Sequence, residues 1–291
     1  MKVAKILYTV AIFVITGLVI MFSMGCRMGF MNPLNILGTD GIKTVSDTVK
    51  TEEFKNIDVD ANVVNFSIEE GDEYSVKYEL PEELEPTIDV NGDTLRIKSR
   101  KDPGVDLKFF DFTNGIHTTK YSIKVIVPKG ANIEDLTVLT NAGNIELDGR
   151  TFDDVDLNCN AGNVEMRYIT CTTCKISTNA GNVQADKSDL GDLDLDTNAG
   201  NVDFDNTVMK NINIETDMGN IDLDDVTFVS GKIDTEVGNV EVDGEYDKLE
   251  AESEVGAISA NSSKEDTVFD ISTQIGSVSV NGKSQGRSYS N

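Results

Sequence analysis

Residues 140–145 read TNAGNI, and the chain returns to the same phrase at 159–164 (CNAGNV), 178–183 (TNAGNV) and 197–202 (TNAGNV). Degenerate copies follow as TDMGNI, TEVGNV, SEVGAI and TQIGSV. The eight glycines are Gly143, Gly162, Gly181, Gly200, Gly219, Gly238, Gly256 and Gly276, so five successive steps are 19 residues, one is 18 and one is 20. A short fixed period of this kind is the mark of stacked coils. Two residues after each glycine stand Ile145, Val164, Val183, Val202, Ile221, Val240, Ile258 and Val278. Four residues after it stand Leu147, Met166, Ala185, Phe204, Leu223, Val242, Ala260 and Val280. A second cluster, twelve and fourteen residues on, holds Val155 and Leu157, Cys174 and Ile176, Leu193 and Leu195, and Ile212 and Ile214. Spacings of two belong to strands with one buried face. The expectation is an all-β parallel β-solenoid of about eight 19-residue coils over residues 131–291, roughly 40 Å long at about 4.8 Å per coil.

Glycine suits the tight corner of a coil because it takes positive φ without steric strain. Asn144, Asn163, Asn182, Asn201, Asn220 and Asn239 then form a ladder in which stacked amides hydrogen-bond from coil to coil. Thr140, Thr178, Thr197, Thr216 and Thr235 form a second ladder beside it. Corner architecture explains both ladders more simply than a ligand-binding edge does. The asparagine ladder ends at Ala257 and Ser277, and Met, Val and Ile replace the alanine before glycine from Met218 onward. The last coils are therefore atypical, as terminal repeats generally are.

The 291 residues carry 51 acidic and 25 basic side chains, a net charge of −26. Such a surface repels nucleic acid, which is not an expected partner. Residues Ile6 to Met24 are uncharged, preceded by Lys2 and Lys5 and followed by Arg27. That segment is long enough to cross a bilayer, and the flanking charges favour an inside amino terminus. Ser23-Met24-Gly25-Cys26 resembles a lipoprotein cleavage site, although Ser23 stands where a large aliphatic residue is preferred. An uncleaved transmembrane anchor is the favoured reading and lipidation at Cys26 the alternative. Either places the rest of the chain outside the cytoplasm on a cell membrane. The expected organisation is an anchor at 1–29, a spacer at 30–50, a β-rich cap at 51–130 that closes one end of the stack and is free to share its core, and the solenoid. Strands in the cap are expected in IDVDANVVNFSI, YSVKYEL, PTIDV, TLRIKS and YSIKVIVPKG, with turns at 70–72 and 91–93 and a loop or hairpin at 101–117. No sorting signal is read at the carboxyl end, which runs out as SQGRSYSN.

Chemistry is sparse. His117 is the single histidine and sits in a polar stretch, and no nucleophile elbow, phosphate loop or zinc-protease signature is present. Cys171 and Cys174 form a CxxC, yet the repeat places Cys174 with Val155, Leu193 and Ile212, and Cys171 with Phe152, Leu190, Met209 and Phe228. With Cys159 in the threonine file, all three read as buried apolar substitutes, and a disulfide within one coil stays open. An enzyme is not expected. A polysaccharide lyase would need a basic residue beside bound calcium, and the lysines and arginines of the coils share no common offset.

Carboxylates make the more interesting pattern. Three residues after glycine stand Glu146, Glu165, Asp203, Asp222 and Glu241; five after it stand Asp148, Asp186, Asp205, Asp224 and Asp243. On strands these point outward in two adjacent files of like charge, which is unfavourable. Calcium bridging Glu146, Asp148, Asp203, Asp205, Asp222, Asp224, Glu241 and Asp243 would relieve it. A solvated face that keeps an exported rod soluble is the simpler reading, because the calcium-binding nonapeptide signature is absent.

Together, the amino-terminal membrane segment, the FKNIDVDANVVNFSI lead-in and the TNAGNV coils resemble the bacterial "putative adhesin" family, domain of unknown function 4097. The resemblance covers 54–280 and implies a membrane-anchored β-solenoid without catalytic or binding residues to carry over. It implies an adhesin-like surface protein, and the repeated groups of a rod suit weak multivalent contact with cell-wall glycans or another surface polymer. The alternative it allows is an accessory sensor or modulator of envelope stress that acts through a membrane-protein partner.

Overall fold

The computed structural model describes residues 43–99 and 121–291. The segment Ile6 to Met24, Cys26, the loop at 101–117 and His117 lie outside them; among the described residues no helix is long and apolar enough to cross a membrane. Among the described residues seven strands precede the first repeat glycine's coil: β1 (Thr44–Lys50), β2 (Asn56–Val63), β3 (Asn65–Gly71), β4 (Ser75–Pro81), β5 (Thr87–Asn91), β6 (Thr94–Ser99) and β7 (Ser122–Pro128). The repeats then alternate a longer strand before glycine with a shorter one after it: β8 (Asp135–Ala142) and β9 (Ile145–Asp148), β10 (Asp154–Ala161) and β11 (Val164–Arg167), β12 (Thr173–Ala180) and β13 (Val183–Asp186), β14 (Asp192–Ala199) and β15 (Val202–Asp205). After β16 (Asn211–Met218), two strands run through the next corner, β17 (Ile221–Val237) and β18 (Val240–Val255). The chain ends in β19 (Ile258–Ser262), β20 (Val268–Ile275), β21 (Val278–Val280), β22 (Lys283–Gly286) and β23 (Ser288–Ser290).

Each long strand pairs in parallel with the long strand one repeat away, with Val155 facing Leu136 and Cys174, and each short strand does the same, with Val164 facing Ile145 and Val183. Single bridges along Thr151, Thr170, Asp189, Val208 and Thr227 make the third side of the coil. Alternation sends Leu157, Ile176, Leu195, Ile214 and Ile233 inward, where all are buried, so the apolar files form one continuous core from Phe54 to Val280. That core is what the two-residue spacing requires.

Three features differ from the sequence expectation. The region read as a cap contributes coils of its own: β2 pairs in parallel with β8, and β3 with β9 through Phe66 and Ser67. Strand β6 then lies on the far side of β2, and β7 on the far side of β3, both parallel. A coil late in this region thus stacks outside an earlier one, and no break in the core separates 51–130 from 131–291. The cap proper is the antiparallel edge made by β5 on β6, β4 on β7 and β1 on β4. Within the expected spacer, Thr44–Lys50 is strand β1, because Val45 and Val49 pack against the core. At the other end SQGRSYSN folds back: β22 pairs antiparallel with β21 and β23 with β20, and Asn291 accepts a hydrogen bond from the Phe269 amide at 2.6 Å. Antiparallel strands at both ends shield the open edges of a parallel stack.

Glycine's role at the corner also differs. Gly143 and Gly162 have φ of 129° and 151°, but Gly200 is not in the positive-φ region. What all eight share is closeness: a Cβ on Gly200 would lie 1.9 Å from the carbonyl oxygen of Gly181, and on Gly238 1.7 Å from that of Gly219. Room for backbone against backbone, more than dihedral freedom, fixes glycine here.

Candidate functional site

The corner ladders are built differently from a simple row of stacked amides. The Asn163 amide N–H donates to Asn144 Oδ1 at 3.0 Å, and the same bond repeats from Asn182, Asn201, Asn220 and Asn239 to the asparagine one coil back. The file starts earlier than the repeats suggested, since Asn144 N–H donates to Asn65 Oδ1 at 2.9 Å, and it ends where Ala257 N–H donates to Asn239. A separate side-chain ladder runs two residues before glycine. Asn141 Nδ2 donates to Asn62 Oδ1 at 2.8 Å, Asn160 to Asn141, Asn179 to Asn160 and Asn198 to Asn179. The threonine file is buried, and the hydroxyls of Thr178, Thr197, Thr216 and Thr235 have no hydrogen-bond partner there. All three ladders belong to the corner's construction.

The acidic files fall where alternation puts them. Glu146, Glu165, Gln184, Asp203, Asp222 and Glu241 stand in register on neighbouring strands, and so do Asp148, Arg167, Asp186, Asp205 and Asp224. A bulge between Leu223 and Val226 carries the second file out of register before Asp243. Gln184 and Arg167 interrupt the charge: Arg167 pairs with Glu165 at 2.7 Å and Gln184 Nε2 donates to Asp203 at 3.4 Å. Between them Asp203, Asp205, Asp222 and Asp224 help line a shallow recess of about 420 Å³. Partial burial raises the Asp222 carboxyl above its usual range, and Asp203, Asp224 and Asp243 raise it further. Among the described residues no group of three or more His, Cys, Asp or Glu side chains is gathered closely enough to hold a metal ion. The files are rows of single carboxylates, one per coil, without a chelating cage.

A second acidic face escaped the sequence reading. On the long strands Asp196, Glu215, Asp234 and Glu252 stand in register, and beside them run Asp217, Glu236 and Glu254. The signal lay four residues before Gly200, Gly219, Gly238 and Gly256, but Leu139, Asn158 and Ser177 fill that position in the earlier coils, so the file carries no mark where the repeat is clearest. Neighbours temper parts of this face. The Asn211 amide holds the Asp192 carboxyl below its usual range with help from Lys210, while burial followed by Asp154 raises Asp135.

Cys159, Cys171 and Cys174 are buried free thiols, with Cys159 Sγ 3.2 Å from the Gly143 carbonyl oxygen. Burial pushes the Cys159 thiol up to about 11, and a hydrogen bond with Cys171 together with burial raises Cys174. Neutral buried thiols of this kind are inert, as their positions in the apolar files predict. At the other end of the short-strand face, β3 parts from β9 beyond Ser67 and leaves a cleft of about 810 Å³. Lys124, paired with Glu69 at 2.6 Å, and Arg150 line it with Glu146 and Asp148.

These features define a class, an acidic parallel β-solenoid whose coils are tied at one corner by glycine contacts and asparagine ladders. A family model described as Toastrack DUF4097 matches residues 54–290, and the chain belongs to that family. The crystal structure of a "putative adhesin" from Parabacteroides distasonis ATCC 8503 is similar in fold, with a TM-score of 0.56 at 17% identity over 82% of this chain and 97% of that one. Another, from Bacteroides fragilis NCTC 9343, gives a TM-score of 0.50 at 16% identity over 82% of this chain and 96% of that one. At such identities the likeness is one of fold. No curated protein matches the chain.

Proposed function

We propose that this is a non-enzymatic, membrane-anchored surface protein whose coil stack binds cell-wall glycan or another surface polymer outside the cytoplasm. The observation that carries this reading is the in-register repetition of outward polar groups, most of them carboxylates, coil after coil along the short strands. A polymer repeats its own groups at regular intervals, so many weak contacts add along the stack and give avidity without a deep pocket. Co-sedimentation of the purified chain with the organism's wall polymer, in calcium and in chelator, tests it. Pelleting in both conditions supports polymer binding through the polar files, and pelleting only in calcium adds ion bridging by the carboxylates. No pelleting in either overturns it.

A second reading, an accessory sensor or modulator of envelope stress acting on a membrane-protein partner, is favoured by a different observation. The corner residues Met218, Val237, Val255 and Ile275 are large, apolar and exposed.

A further inference from the structure

The residue before each repeat glycine changes character half-way along the stack. In the first four repeats it is Ala142, Ala161, Ala180 and Ala199; in the last four it is Met218, Val237, Val255 and Ile275. Register places these four side by side, Met218 against Val237, Val237 against Val255 and Val255 against Ile275. They are 43%, 44%, 39% and 63% exposed, so the enlargement fills no space in the core. At about 4.8 Å per coil they form a straight apolar row some 14 Å long.

The neighbour on the amino-terminal side changes at the same coil. Asn141, Asn160, Asn179 and Asn198, tied by amide hydrogen bonds, give way to Asp217, Glu236, Glu254 and Gln274. A carboxylate accepts but does not donate, so the side-chain ladder ends at Asn198, and like charges face one another in its place. Among the described residues no lysine or arginine pairs with Asp217, Glu236 or Glu254. Two residues earlier Asp234 and Glu252 add to the same border. Inside the molecule both changes are unfavourable: apolar surface is left in water, and a satisfied ladder is exchanged for repulsion. They start together and run together, which a partner would account for.

We propose that this row is a docking surface for a basic amphipathic helix of another protein, its apolar stripe lying along Met218, Val237, Val255 and Ile275 and its lysines or arginines meeting the carboxylate border. Charge selects the partner. A second copy of a chain with net charge −26 brings more carboxylates to the same border, and so does an anionic bilayer. Spacing selects the helix: one turn rises 5.4 Å, close to the coil repeat, whereas same-face residues of a strand lie about 6.7 Å apart. Apolar residues at i, i+4, i+7 and i+11 then fall one per coil. This surface deepens the second functional reading and leaves the polymer reading untouched, because the acidic files after glycine lie on a different side of the corner.

The test uses the full-length chain and a synthetic helical peptide with leucine at i, i+4, i+7 and i+11 and lysines on both borders. Fluorescence anisotropy compares it with a scrambled peptide of the same composition and with one carrying glutamate for lysine. The expected result is binding at least tenfold tighter than either control, weakened by salt. Three substitutions, Val237→Ala, Val255→Ala and Ile275→Ala, restore the residue that the first four repeats carry. Together they lower the affinity at least tenfold while thermal stability is kept, and Glu236→Asn with Glu254→Asn lowers it with a shallower salt dependence. Equal binding of the scrambled peptide, or no loss in the alanine variant, overturns the proposal. Concentration-dependent dimerisation lost in the alanine variant would make a second copy the occupant, and flotation with zwitterionic vesicles lost in that variant would make it a bilayer; either result also overturns the proposal. Wall-polymer sedimentation by the same variant separates failure here from failure of the polymer reading.

Discussion

Coils around Gly143, Gly162, Gly181 and Gly200 are nearly alike, whereas those around Gly219, Gly238, Gly256 and Gly276 keep the same inward residues and change their outward corner. Both halves bury Val or Ile two residues after glycine, and both bring glycine backbone against glycine backbone. The first half closes its corner with Asn-Ala and a continuous amide ladder; the second opens it with an acidic residue, or Gln274 in the last coil, and a large apolar one. What folding requires is therefore common to both halves, and what differs is turned to solvent. A uniform stack can in this way carry two different surfaces without disturbing its core.

The largest effect is expected where the halves are alike. Gly200→Ala sets a methyl 1.9 Å from the Gly181 carbonyl oxygen and should cost more than about 3 kcal/mol, because only movement of the backbone relieves it. Denaturant unfolding should show a sharp fall in midpoint, and a change below about 1 kcal/mol would mean that the coils are not held this closely. The contrast itself is sharpened by exchanging corner residues. Asn179→Asp removes the donor to Asn160 and should cost about 1–2 kcal/mol, while Glu236→Asn in the second half should be neutral or slightly stabilising. Equal losses at both sites would erase the distinction between the halves.

Smaller effects follow at the other corners. Tyr168, Lys187 and Asn206 have φ near +50° at successive coils, a region that favours glycine. Lys187→Gly should raise stability by about 0.5 kcal/mol, less whatever is lost with the Asp186 ion pair at 3.0 Å and the Tyr168 ring contact. The smallest effect concerns pH. The folded Asp222 carboxyl lies above its unfolded value, so its contribution is fully present below the unfolded pKa and is lost as pH rises through the folded one. Asp135 acts in the same sense, whereas Asp192 and Glu250, lowered by their neighbours, act against it. Asp222→Asn should then flatten the stability–pH curve between neutrality and mild acid, and thermal melts across that range would detect it.

Much of this was legible in the chain. The inward files at Ile145, Val164 and Val183, the glycine corner and the two carboxylate rows all follow from a fixed period and two-residue alternation. The coil of β2 and β3 was harder to read for physical reasons. ANVVNFSI at 61–68 aligns with TNAGNIEL at 140–147, and Asn62 and Asn65 meet Asn141 and Asn144, but the partners lie 79 residues apart and Val64 replaces the glycine that marks every other copy. A search by period sees only neighbours one period away, so a coil reached by a long detour of the chain is invisible to it. The closing hairpin at Lys283–Gly286 was missed because its residues are polar and largely exposed, and its place is set by backbone pairing with Val278–Val280. Solvent-facing changes at Met218 and beyond were visible as departures from the repeat; only register and exposure showed that they form one row.

Hydroxyl-radical footprinting of side chains, read by mass spectrometry with and without the basic amphipathic peptide, tests the division of the stack most directly. The account predicts protection of Met218, Val237, Val255 and Ile275 together, with Ala142, Ala161, Ala180 and Ala199 and their neighbours unchanged. Protection spread evenly along both halves, or confined to the alanine coils, would contradict it.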